Sequence, residues 1–131
     1  MKKLVLLLTL LVSSLAFANN DKGLEAAKSW LSTIDAGNYT KSWDNAGAFL
    51  KGQLNQAKWQ EVLSSVRAPL GNVISREKIA SSEHSSLPGV PAGEYLIVQF
   101  QTKFEQEKSA VETLTLSKTE GQWFPVGYYI K

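Results

Sequence analysis

The hydrophobic period of this chain switches once, near Gly71, from the repeat of a helix to the repeat of a strand. Before that point, Leu24, Ala27, Leu31 and Ile34 recur along one face of a 3.6-residue period, with Trp30 beside them. Asn20 or Asp21 is expected to cap this first helix, and Gly37 to end it. Thr40 is expected to cap a second helix, in which Trp43, Ala46, Phe49 and Leu50 share a face that Gly47 and Gly52 weaken. Asn55 opens a third, where Trp59, Val62, Leu63 and Val66 sit at i, i+3, i+4 and i+7. Pro69 and Gly71 stop it.

After Gly71 apolar and polar residues alternate. Strands are predicted over 73–80, 94–104, 110–116 and 122–130, with a polar and then Pro/Gly-rich loop over 81–93. Gly121 marks a turn, and Pro125 and Gly127 predict a bulge or an edge position in the last strand. Helices followed by a run of antiparallel strands predict an α+β domain, its N-terminal helices packed on one face of a curved sheet of about four strands.

The N-terminus is read separately. Lys2 and Lys3 precede an apolar run from Leu4 to Leu15, and Ala16 and Ala18 supply the small residues of a signal-peptidase site. The run is shorter than the ~20 residues of a spanning helix. Residues 1–18 are therefore expected to be a signal peptide cut after Ala18, leaving 19–131 as one soluble domain in the periplasm or outside the cell. No membrane insertion is expected after cleavage.

The chain has 14 basic and 12 acidic residues, and Lys2 and Lys3 account for the surplus. The remainder is neutral, without the clustered basic excess of a nucleic-acid binder. With no cysteine in an oxidising compartment, stability must come from burial, to which Trp30, Trp43, Trp59 and Trp123 contribute. One histidine and no thiol leave no zinc spacing, and no cofactor is expected. Ser82, Glu83 and His84 invite a hydrolase reading, but neighbours in sequence are not a triad, and no Gly-x-Ser-x-Gly elbow is present.

Glu112 is the position that strand alternation makes unusual. It shares a face with Ala110, Leu114 and Leu116, so burying that face carries a carboxylate inward, where it must be paired. Arg76, placed on the face of Ile74, is the candidate partner. The alternative is a strand-edge carboxylate in water or an ordinary cross-strand ion pair. Trp43, Tyr95, Trp123 and Tyr128 line a pocket with these two in one reading, and form core and rim in the other.

Several segments resemble a family of small exported bacterial proteins catalogued as domain of unknown function 4019. They are Lys41-Ser42-Trp43-Asp44, Arg67-Ala68-Pro69-Leu70-Gly71, Ser75-Arg76, Leu87-Pro88-Gly89-Val90-Pro91-Ala92-Gly93-Glu94-Tyr95 and Trp123-Phe124-Pro125-Val126-Gly127-Tyr128-Tyr129-Ile130. The resemblance implies export and a cystatin-like or nuclear transport factor 2-like shape. It brings no catalytic residue.

Three functional classes follow. One is a non-enzymatic binding or interaction module of the cell envelope, taking a small apolar ligand in a helix–sheet cleft or an envelope protein. Another is an isomerase or dehydratase with Glu112 as base and Tyr128 as donor. The last is an assembly protein that uses a sheet edge.

Overall fold

A computed structural model describes the backbone of residues 10–131 and the side chains from residue 21 onward. Lys2, Lys3 and the start of the apolar run lie outside the described residues. Four helices come first: α1 (Leu10–Asp35), α2 (Tyr39–Asp44), α3 (Ala48–Gln53) and α4 (Gln56–Arg67). Four strands follow: β1 (Val73–His84), β2 (Tyr95–Phe104), β3 (Ala110–Thr119) and β4 (Gln122–Ile130). The strands pair in chain order, each antiparallel to the next.

The α1 stripe is as its periodicity predicts, with Ala27, Trp30, Leu31 and Ile34 buried. Asn20 and Asp21 do not cap it, because the helix runs through both. At its far end Gly37 takes a φ of 82°, and the amides of Gly37 and Asn38 bond back to Ile34 and Thr33. That paired closure needs the left-handed residue that glycine supplies.

The second predicted helix is two helices. Thr40 lies inside α2, and Asn38 stands at the cap position without a side-chain bond. The break at 45–47 has a cause in the sheet. The Gly47 amide donates to the Pro125 carbonyl of β4 at 2.7 Å, so it is diverted from a helical partner. A Cβ on Gly47 would stand 2.8 Å from Val126 Cγ1 and 3.2 Å from Phe124 Cβ. Gly47→Ala is expected to destabilise by about 1–3 kcal/mol through overpacking, read as a lower urea midpoint with an unchanged slope.

Asn55 caps α4, its side chain accepting from the Lys58 amide at 2.8 Å. The buried stripe of α4 is Trp59, Leu63 and Arg67, whereas Val62 and Val66 are exposed. The helix buries a narrow i, i+4, i+8 row, because it packs chiefly against the short α2. Ser42 joins the two: its carbonyl accepts from Trp30 Nε1 at 2.7 Å and its hydroxyl from Trp59 Nε1 at 2.9 Å.

Strand β1 continues to His84, so the loop begins four residues later than the polar run predicts. Its register slips at Ile74 and again at Ile79, which leaves both isoleucines as bulge residues. In β4 the register skips Val126 between Pro125 and Gly127, and this strand is also a sheet edge. Glu120 and Gly121, both at positive φ, form the two-residue turn between β3 and β4.

Leu96, Val98, Phe100, Phe104, Leu114 and Leu116 pack beneath the helices and are essentially inaccessible. Each such side chain contributes about 1.5–3 kcal/mol of burial. They pack the middle of the helix–sheet interface, and a depression remains at its β4 side, lined by Trp30 of α1 and Trp123 of β4 among others.

Candidate functional site

Side chains from six of these elements, one from each, meet at one end of the domain. Asp35 is the last residue of α1, and Arg67 the last of α4. Arg76 lies on β1, Thr102 on β2, Glu112 on β3 and Tyr128 on β4. The apolar stripes explain why these polar residues converge. Arg67 follows Trp59 and Leu63 at spacings of four, and Glu112 follows the inward alternation of β3.

Arg76 reaches the inner face by a route that differs from the predicted one. Ile74 is a bulge residue and is exposed, so it does not share Arg76's face. Across the bulge, Val73 pairs with Phe104 and Arg76 with Thr102, and both partners are buried. The extra residue reverses the alternation and turns Arg76 inward.

The guanidinium of Arg76 then grips two carboxylates. Its Nε and Nη2 donate to Glu112 Oε1 and Oε2 at 2.7 and 3.2 Å. Its Nη1 and Nη2 donate to Asp35 Oδ2 and Oδ1 at 2.7 and 3.0 Å. Arg67 Nη2 adds a bond to Asp35 Oδ1 at 2.8 Å and rests its guanidinium 5.0 Å above the Phe104 ring. Glu112, with 0% of its surface exposed, also accepts from the Thr102 hydroxyl at 2.5 Å and from the Tyr128 hydroxyl. Two carboxylates face two guanidiniums, so the cluster is neutral.

The electrostatics follow from that arrangement. Burial would raise the pKa of Asp35, but hydrogen bonds from Arg76 and Arg67, and their charges, hold it below its ordinary value. Burial would lower that of Arg76, but bonds to Asp35 and Glu112 raise it above the usual guanidinium value. Burial pushes Tyr128 above a free phenol, and the Glu112 charge pushes it further. Tyr128 stays a donor throughout the physiological range.

As chemistry, this is a lock. Both Glu112 oxygens already hold donors, so neither is left to take a proton from a substrate, and core side chains pack around the pair. Of the predicted site residues, the structure brings together Arg76, Glu112 and Tyr128. Sequence reasoning missed Asp35, Arg67 and Thr102. The spacing of Arg67 from Leu63 and Trp59 was the available signal.

The other predicted residues lie elsewhere. Trp43 donates from Nε1 to the Leu54 carbonyl at 2.7 Å, with Lys51 Nζ 5.5 Å from its ring. The Tyr95 hydroxyl donates to the Pro91 carbonyl at 2.5 Å and fastens the 85–94 loop to the sheet. Trp123 lies at the start of β4, bordering two open depressions. Ser82 and His84 share one face of β1, with Oγ and Nε2 2.8 Å apart. Glu83 pairs with inward-facing Leu96, so it points to the opposite face and forms no triad with them.

A family model described as Protein of unknown function (DUF4019) matches residues 26–128, a span that holds all six residues of the charged cluster. No curated protein matches the chain.

Proposed function

This chain belongs to the family described as Protein of unknown function (DUF4019), and from that premise we propose a non-enzymatic interaction module of the bacterial cell envelope. The observation that carries the reading is the contrast between the two edges of the sheet. At β4, the Gly47 amide holds the Pro125 carbonyl and the start of α3 covers the strand. At β1, twelve residues form an outer edge that no further strand among the described residues covers, and most of their side chains are exposed. Ile74 and Ile79 are 53% and 51% exposed there.

An uncovered edge is a template for a further strand. The run from Ala80 to His84 keeps regular register with β2, and Ile79 stands at its start as an apolar anchor. An extended segment of an envelope protein would add alongside this run. The export reading of residues 1–18, with cleavage after Ala18, supports a periplasmic or secreted setting. Among the described residues, no helix is long and apolar enough to cross a membrane. The filled helix–sheet interface favours the cystatin-like shape over the nuclear transport factor 2-like cone.

Photo-crosslinking tests the proposal. A photoreactive residue at Ile79 is expected to capture one discrete envelope protein, and the same residue at Glu61, exposed on α4, to capture none. Excess unlabelled wild-type protein should abolish the capture by competition, and excess Ile79→Lys protein should not. Equal yields at the two positions, or none at Ile79, would remove the basis for the proposal.

A further inference from the structure

The charges along the β1 edge are spaced so that the strand complements itself. Pairing with β2 fixes where each side chain points. Lys78, Ser81 and Glu83 stand opposite Phe100, Val98 and Leu96, which are buried beneath the helices, so these three share the inner face. Glu77, Ala80, Ser82 and His84 take the outer face, and Ile79 is the bulge residue between the two runs. The helices pack on β2, β3 and β4, and Lys78, Ser81 and Glu83 are exposed although they face inward. Among the described residues, Glu77, Lys78 and Glu83 form no ion pair.

Two copies of one edge strand can pair antiparallel about a two-fold axis, with directly opposite residues pointing to the same face. That condition, with Ile79 skipped as it is against β2, leaves three registers centred on the 80–84 run. With the axis at Ser81, Ala80 meets the partner's Ser82, Lys78 meets the partner's Glu83, and Glu77 meets the partner's His84. The symmetry supplies each of these contacts twice. With the axis at Ser82, Lys78 and Glu83 each face a serine. With the axis at Ala80, Lys78 faces a serine and Glu83 faces Arg76, which Glu112 and Asp35 already hold. Of the three, the Ser81 register alone sets free charges of unlike sign against each other.

We propose that β1 pairs with β1 of a second copy of this chain about an axis at Ser81. The four strands of each copy then form one continuous sheet. This rests on the strand-addition reading and names its partner, the segment that adds being the protein's own β1. The β4 edge is covered by the start of α3, so each copy has one open edge and assembly closes at two.

Analytical ultracentrifugation of the protein, expressed as the full chain, tests this. A dimer in the micromolar range is expected, weakened about tenfold or more in Lys78→Glu and in Glu83→Lys, which oppose like charges twice. Combining the two swaps should restore it to within about threefold, with circular dichroism unchanged throughout because both side chains are exposed. The chain has no cysteine, so Ser81→Cys adds a single thiol at the axis, where opposed Cβ atoms lie about 5 Å apart. Mild oxidation should link that variant into dimers. Ser75→Cys, about 30 Å from its own copy in this register, should stay unlinked. A monomer at every concentration, equal linking of the two cysteine variants, or a combined swap that fails to restore association would each overturn the proposal. A monomer whose Ile79 probe still captures another envelope protein would overturn the self-pairing and leave strand addition standing.

Discussion

Glu112→Ala is expected to destabilise the protein by about 3–5 kcal/mol, the usual effect of removing one partner from a buried ion pair. The substitution strips acceptors from three side chains at once. Arg76 loses two of its four bonds, and the Thr102 and Tyr128 hydroxyls lose the carboxylate they donate to. A domain of this size is stable by about 5–15 kcal/mol, so this one change removes a large share. In urea it should lower the midpoint by about 2–3 M, at a slope of about 1.5 kcal/mol/M. Arg76→Ala leaves Glu112 buried without its counter-charge and belongs in the same range. The double variant should be less destabilised than the two single losses added together, by about 0.5–3 kcal/mol, because neither partner is then stranded. Strict additivity would show that the two do not act as a unit.

That pair also shows what the sequence can and cannot convey about such a site. Alternation on β3 was sufficient to turn Glu112 inward, since Ala110, Leu114 and Leu116 have no other way to be buried. Alternation on β1 was misleading for Arg76, because one inserted residue at Ile74 reverses the faces up to the second bulge at Ile79. Bulges of this kind leave no mark in hydrophobic patterning, and the correct partner emerged beside an incorrect face. On α4 the pattern pointed to Val62 and Val66, whereas the helix buries Arg67. The charge of an arginine argues for water, and only the packed fold supplies the Asp35 carboxylate that lets Arg67 stay buried. Asp35 itself sits at the C-terminal end of α1, where no periodicity distinguishes a network member from a solvated end. The aromatics illustrate the opposite difficulty. Trp43, Tyr95 and Trp123 were conspicuous by composition, but convergence is a property of the fold, which sends them to a helix turn, a loop clasp and a cleft wall.

Asp35 is where the lock should be weakest to acid. Its carboxylate receives three bonds from two guanidiniums and is 25% exposed, the most open charged group of the cluster. Because its pKa is depressed in the folded state, the unfolded chain takes up the proton first as pH falls. Its contribution is therefore complete above the ordinary value of 3.8 and fades as pH drops from there through the lowered folded-state value. Near neutrality, Asp35→Ala should destabilise by about 3 kcal/mol, the lower end of the range for a broken pair because water partly screens this residue. The variant also leaves Arg67 without its bond to a carboxylate and Arg76 with Glu112 alone. Below 3.8 the gap between wild type and variant should narrow, since protonation removes the same charge that the substitution removes. Urea midpoints of both proteins, taken from pH 7 downward, measure this directly. A gap that stays constant through the acid range would mean that the carboxylate charge of Asp35 does not hold α1 and α4 to the sheet.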